Sequence, residues 1–154
     1  MDVSASTLKK RSGANWLSRL PKPTFFLDRS LGKFKVAAAL RNAGATVEVH
    51  DDHFPQDAPD EEWLRVAGEN GWVALTKDKN IRFHTREKEA LMAYGVRAFV
   101  LSAKALSAEE MGQVFVRALP KIARALNENR GGFVATVTQG GAVNLVWPKR
   151  PFHR

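Results

Sequence analysis

The sequence predicts an α/β protein of three-layer α/β/α type: a mostly parallel central sheet, helices on both faces and a closing β-hairpin. Three observations lead there. From Thr24 onward, short apolar runs of strand length alternate with longer stretches of helical periodicity. Near the C-terminus two alternating runs flank Gln139-Gly140-Gly141, a hairpin signal. With 154 residues, 44% of them hydrophobic, the chain suits one domain with a real core and is short for two.

The elements follow in order. The first 22 residues show little periodicity, although Trp16, Leu17 and Leu20 fit one helical turn, and Pro21-Lys22-Pro23 closes them as a stiff entry. Thr24–Leu27 reads as the first strand. Leu31–Asn42 reads as a helix capped by Ser30, with Leu31, Phe34, Ala38 and Leu40 apolar and Gly44 just past its end. Thr46–Val49 is the second strand. The stretch His50–Pro59 is polar, acidic and broken by Pro55 and Pro59, and is expected to be a surface loop. Asp60–Asn70 is a helix whose early acids suit its positive N-terminal end, with Trp63, Leu64 and Ala67 as the buried face and Asn70-Gly71 as the stop.

Trp72–Thr76 is the third strand, Asn80–Tyr94 contains a helical stretch ended by Gly95, and Arg97–Leu101 is the fourth strand. Ser107 caps a long helix carrying Glu109 and Glu110 in its first turn and running to about Asn127. Pro120 is expected to kink or divide it. Phe133–Thr138 and Ala142–Trp147 form the hairpin.

The net charge of +8 is unevenly placed. Residues 1–22 carry +4 and residues 149–154 carry +3, which leaves the interval 23–148 near neutrality. The chain therefore reads as a basic N-terminal extension (1–22), a folded domain (23–148, with the hairpin at 133–147) and a basic tail (149–154). Basic ends on a neutral body suit phosphate-backbone attraction, or serve simply as solubilising tails. No apolar run approaches the roughly 20 residues a membrane span needs, and no apolar stretch follows Lys9, Lys10 and Arg11 to make a signal peptide. Cysteine is absent, so disulfides and thiolate metal sites are excluded and a cytoplasmic location is the default expectation.

Scattered acids carry the functional argument. Asp28 ends the run Thr24–Leu27, Asp78 follows the run 72–77, and Asp60, Glu61 and Glu62 open the helix between them. In a parallel sheet the residues just past the strand C-termini line the edge where ligands bind. Carboxylates converging there are hard oxygen donors suited to Mg²⁺ or Mn²⁺, which would relieve their mutual repulsion and support phosphodiester cleavage. Each acid also has a bland role: Asp28 as a strand-end cap, Asp60 and Glu61 as first-turn helix acids, Asp78 as a turn residue. Their joint placement is the stronger signal. Lys33 and Lys35 after Asp28, and Lys77, Lys79 and Arg82 around Asp78, are candidates to hold substrate phosphates or are ordinary solvated cations.

Other chemistries find less support. His50-Asp51-Asp52-His53 has metal-ligand residue types, but it sits on a loop with His84 as the one other central histidine. There is no Gly-x-Ser-x-Gly elbow and no glycine-rich phosphate loop.

Over approximately residues 24–102 the chain resembles the PIN-like nucleases, in particular the branch related to toxins of bacterial toxin–antitoxin pairs. The resemblance rests on Phe-Phe-Leu-Asp at 25–28, Asp-Glu-Glu-Trp-Leu at 60–64 and Gly-Trp-Val-Ala-Leu-Thr-Lys-Asp at 71–78. It implies a Mg²⁺- or Mn²⁺-dependent endoribonuclease whose metal-binding acids fall on Asp28, Asp60 and Asp78, with Glu61 adjacent. It also implies RNA as substrate and an antitoxin protein as partner; a homodimer is a further expectation. Where many relatives place another acid two residues past the Thr-x-Asp acid, this chain has Asn80, which can ligate through its carbonyl but brings no charge. The alternative is a PIN-like module that binds nucleic acid or protein without cleaving.

Overall fold

The structure, a computed structural model, describes residues 22–78 and 85–148, with side chains from Lys88 onward in the second stretch. Most of the basic extension, the tail from Lys149, and Lys79, Asn80, Arg82 and His84 lie outside the described residues.

Strands β1 (Thr24–Leu27), β2 (Thr46–Val49), β3 (Val73–Thr76), β4 (Arg97–Leu101), β5 (Phe133–Val137) and β6 (Val143–Trp147) form one sheet in the order β2-β1-β3-β4-β5-β6. The first five are parallel, and β6 returns antiparallel to β5 as the hairpin signal anticipates. Among the described residues four α-helices cover the sheet: α1 (Lys35–Asn42), α2 (Asp60–Asn70), α3 (Thr85–Tyr94) and α4 (Ala108–Glu128). The predicted three-layer α/β/α architecture is the observed one. No helix among the described residues is long and apolar enough to cross a membrane.

The period-2 alternation of β1 sorts its side chains. Phe25 and Leu27 join the core beneath α1 and α4, whereas Phe26 faces the opposite core with Trp63 and Leu64 of α2. Asp28 has the parity of Phe26 and so emerges on the α2 side. The chain leaves β1 toward β2 on one flank, then crosses to β3 on the other. The C-terminal ends of β1 and β3 therefore flank the topological switch point, the usual ligand crevice of such sheets.

Four local expectations need correction. The helix expected over Leu31–Asn42 is split: Arg29–Leu31 is a 3₁₀ turn, and α1 starts only at Lys35. Ser30 is not a helix cap. Asp28 caps the 3₁₀ turn instead, and Gly32 at φ 75° breaks the path before a helix can propagate. As a result Phe34, one of the apolar residues of the expected helix, lies outside α1 and is 73% exposed.

The segment His50–Pro59 is not simply a surface loop. It opens with a 3₁₀ turn (His50–Asp52), and His50, Phe54 and Ala58 are buried against Phe26 and its neighbours. Pro120 does not divide α4, which is continuous. The proline is exposed and Val116, whose carbonyl loses its partner, is half-exposed, so water can satisfy that oxygen. The third strand begins at Val73 rather than Trp72.

Helix α2 packs on α3 through Gly68. A Cβ there would collide with the carbonyl oxygen and Cβ of Tyr94. A backbone carbonyl cannot rotate away, so Gly68→Ala is expected to destabilise the fold by about 1–3 kcal/mol despite its better helix propensity. The urea midpoint measures this, and an unchanged or raised midpoint would contradict such close packing.

Candidate active site at the carboxyl edge of the sheet

Asp28 is 2% exposed, an unusual position for a carboxylate. Its backbone N–H extends the strand pairing to the Leu75 carbonyl at 3.1 Å. Its side chain takes three donors. Oδ1 accepts the Ser30 N–H at 2.9 Å and the Ser30 hydroxyl, and Oδ2 accepts the Thr76 hydroxyl at 2.7 Å.

Those hydroxyls are themselves fixed from β3. Ser30 Oγ accepts the Lys77 N–H at 3.1 Å, and Thr76 Oγ1 accepts the Asp78 N–H at 2.9 Å. The end of β1, the 3₁₀ turn and the end of β3 are thus tied into one polar knot at the switch point. Burial pushes the Asp28 carboxyl above its ordinary value; the three hydrogen bonds oppose that, and the charge of Asp60 raises it further.

Asp60 reaches this neighbourhood from the first turn of α2. Its Oδ1 accepts the Trp63 indole N–H at 2.9 Å, a one-turn contact along the helix. The Arg29 guanidinium stands 3.9 Å from the same oxygen and donates to the Ala58 carbonyl at 3.0 Å. Arg29 therefore clamps the start of α2 to the turn that follows Asp28.

The remaining predicted residues divide. Asp78 lies half-buried just beyond β3, its backbone fixed by Thr76. Glu61 is exposed on the outer side of the first turn of α2. Lys33 is half-exposed, 3.6 Å from Asp51, and Lys77 is exposed beside the knot. Lys35 is 3.9 Å from Glu109 of α4. Among the described residues no three acids or histidines stand close enough together to hold a metal ion. The donor chemistry still fits a hard divalent cation: Asp28 and Asp60 interact electrostatically, and such an ion would relieve both that repulsion and the burial cost.

Sequence reasoning missed four contributors, Arg29 among them. Ser30 and Thr76 are the proton donors that orient Asp28, and Trp63 holds Asp60. Thr76 lies inside the Thr-x-Asp pattern and was legible as part of it. Nothing local distinguishes Ser30 from a helix cap.

A separate concavity of about 660 Å³ opens at the other end of the sheet, beside Lys22, Arg97 and Arg130. Among the described residues no carboxylate lines it, and the C-terminal ends of α2, α3 and α4 meet there. Its cations offset the negative ends of those helices, so it is no rival for hydrolytic chemistry.

Comparison with known proteins identifies the family. Residues 23–103, from the entry of β1 to just past β4, match the family described as PIN like domain. The chain belongs to the PIN-like domain family. Within it, the chain is similar to the Mycobacterium tuberculosis protein named "Putative ribonuclease VapC45", at 33% identity over 125 residues, covering 79% of this chain and 90% of the relative. No solved structure gives a match. The family match ends near β4, whereas the similarity to the mycobacterial protein extends over most of the domain.

Proposed function

We propose that this chain is a divalent-metal-dependent endoribonuclease and the toxin of a toxin–antitoxin pair, acting in the cytoplasm. The observation that carries the reading is Asp28: a buried carboxylate held by three donors at the switch point, with the charge of Asp60 beside it. Membership of the PIN-like family and similarity to a protein named a ribonuclease support RNA as the substrate.

Asp28, Asp60 and Asp78, with Glu61 adjacent, are the residues that would hold Mg²⁺ or Mn²⁺. When bound, such an ion polarises the scissile phosphate and makes the attacking water more acidic. The chain's own groups do the rest. Ser30 and Thr76 fix the direction of the Asp28 oxygens, while Trp63 and Arg29 fix Asp60. Lys33 and Lys77 attract the phosphates on either side of the scissile bond; Lys79, Arg82 and Asn80, outside the described residues, are further substrate-binding candidates by sequence position alone. An antitoxin protein, through an acidic or apolar segment, silences the enzyme by covering the cleft or disturbing metal binding.

Asn80, which replaces an acid in the motif, favours a second reading: a PIN-like module that binds nucleic acid or protein without efficient cleavage. Metal dependence separates the two. A mixed RNA panel is expected to be cut with Mg²⁺ or Mn²⁺ and left intact with EDTA. Asp78→Asn is expected to lose cleavage while RNA binding in EDTA survives. Cleavage that persists in EDTA or in Asp78→Asn would sink the nuclease assignment, and wild-type binding without any cleavage would favour the module.

A further inference from the structure

Phe34 stands out from every other described phenylalanine. Phe25, Phe26, Phe54, Phe99, Phe115 and Phe133 are all buried, whereas Phe34 is 73% exposed. It sits six residues after Asp28, on the loop that rises from the sheet's carboxyl edge into α1. Stability does not explain the placement.

Phe34 is the N-cap of α1 and makes no side-chain capping bond, at a position where Ser, Thr, Asp or Asn would stabilise the helix. Lys35 puts a positive charge at the helix's positive end, and α1 has no acid in its first turn. Local rules broken together, with no gain in folding, point to a functional surface.

The Lys33 ammonium lies 5.5 Å from the centroid of the Phe34 ring, and Lys35 follows on the other side. An exposed aromatic ring with a cation over one face suits single-stranded nucleic acid, whose bases stack on rings and whose phosphates meet charges. The surface ion pairs of Lys33 with Asp51 and of Lys35 with Glu109 are weak enough for phosphates to compete for both lysines. Phe34 follows the 3₁₀ turn that Asp28 caps, so it belongs to the segment leaving the same edge of the sheet.

Resting on the ribonuclease reading above, we infer that Phe34 is a base-stacking platform for single-stranded RNA next to the scissile phosphate, with Lys33 and Lys35 holding the neighbouring phosphates. Stacking reads no base edge, so the preference it confers is for unpaired RNA rather than for a particular sequence.

The test compares the full chain with Phe34→Ala, Phe34→Leu and Phe34→Tyr on a labelled single-stranded RNA carrying 2-aminopurine. Affinity is read by anisotropy in EDTA, stacking by 2-aminopurine quenching, and turnover with Mn²⁺. Because the side chain is exposed, all three variants are expected to fold with unchanged thermal midpoints. The Ala and Leu variants are expected to bind about 5- to 150-fold more weakly, lose the quenching and raise KM while leaving kcat nearly unchanged; the Tyr variant is expected to behave as wild type. A Leu variant that binds like wild type would reduce the contact to apolar area and overturn stacking. Wild-type affinity in all three would overturn the proposal, with the ribonuclease reading intact wherever wild type still cuts. A wild-type chain that neither binds nor cuts RNA overturns both.

Discussion

Asp28→Asn is expected to lower RNA cleavage by about 100- to 1000-fold, the usual cost of removing one preorganised charge from a transition state. The same substitution is expected to leave the protein at least as stable at neutral pH. Burial raises the Asp28 carboxyl above its ordinary value, so the folded chain holds a proton there over a range where the unfolded chain has lost it. Stability from this group is fully present below the unfolded value of 3.8 and is lost as pH rises through the elevated folded value. At pH 7 the native carboxylate is therefore a burden that asparagine removes. An asparagine oxygen can still accept from Ser30, and its amide can donate to a hydroxyl.

Thermal midpoints of both proteins in EDTA between pH 3.5 and 7.5 give the check. The variant's advantage should be largest at neutral pH and shrink toward the acid end. An advantage that grows as pH falls would reverse the sign assigned to Asp28, and a variant that cuts normally would remove it from the chemistry.

Trp63→Ala carries the largest expected effect on stability. The indole is fully buried and stacks on Phe26 at 5.4 Å between ring centroids, in a cluster that also includes Trp72 and Phe54. Truncating such a side chain costs about 3–5 kcal/mol, a large share of the 5–15 kcal/mol typical of a domain. Trp63 also donates to Asp60. Trp63→Phe separates the two roles, because it retains most of the apolar ring and removes only the indole N–H.

The Phe variant is expected to fold with a loss of about 1–3 kcal/mol, and to cut RNA more slowly because Asp60 is no longer held. Urea denaturation and turnover with Mn²⁺ measure the two effects. Full activity in Trp63→Phe would show that Asp60 needs no such anchor.

These residues also mark how far the sequence could be read. Thr24–Leu27, Thr46–Val49, Asp60–Asn70 and Arg97–Leu101 have the expected limits, because apolar periodicity, helix-start acids and glycine stops act within a few residues. Ser107 forms the predicted cap, with its hydroxyl accepting from the Glu110 N–H at 3.1 Å. The reading failed where a local signal had two meanings. Ser30 before an apolar stretch looks like a helix cap, yet Asp28 two residues earlier captures its N–H and makes a 3₁₀ turn. His50–Pro59 is polar enough for a surface loop, yet Phe26, Trp63 and Trp72 offer an aromatic surface that buries His50 and Phe54.

By itself the sequence determined the kinds of element, their order, the hairpin and the positions of the acids. All of these follow from periodicity and capping between near neighbours. Only the tertiary structure decided that β1 lies between β2 and β3, and that Asp28 meets Thr76 across 48 residues. It alone packed Trp63 against Phe26 of β1 and left Phe34 bare. Such pairings depend on the flank each crossover takes and on the summed packing of two cores, a long-range balance that no short window of residues contains.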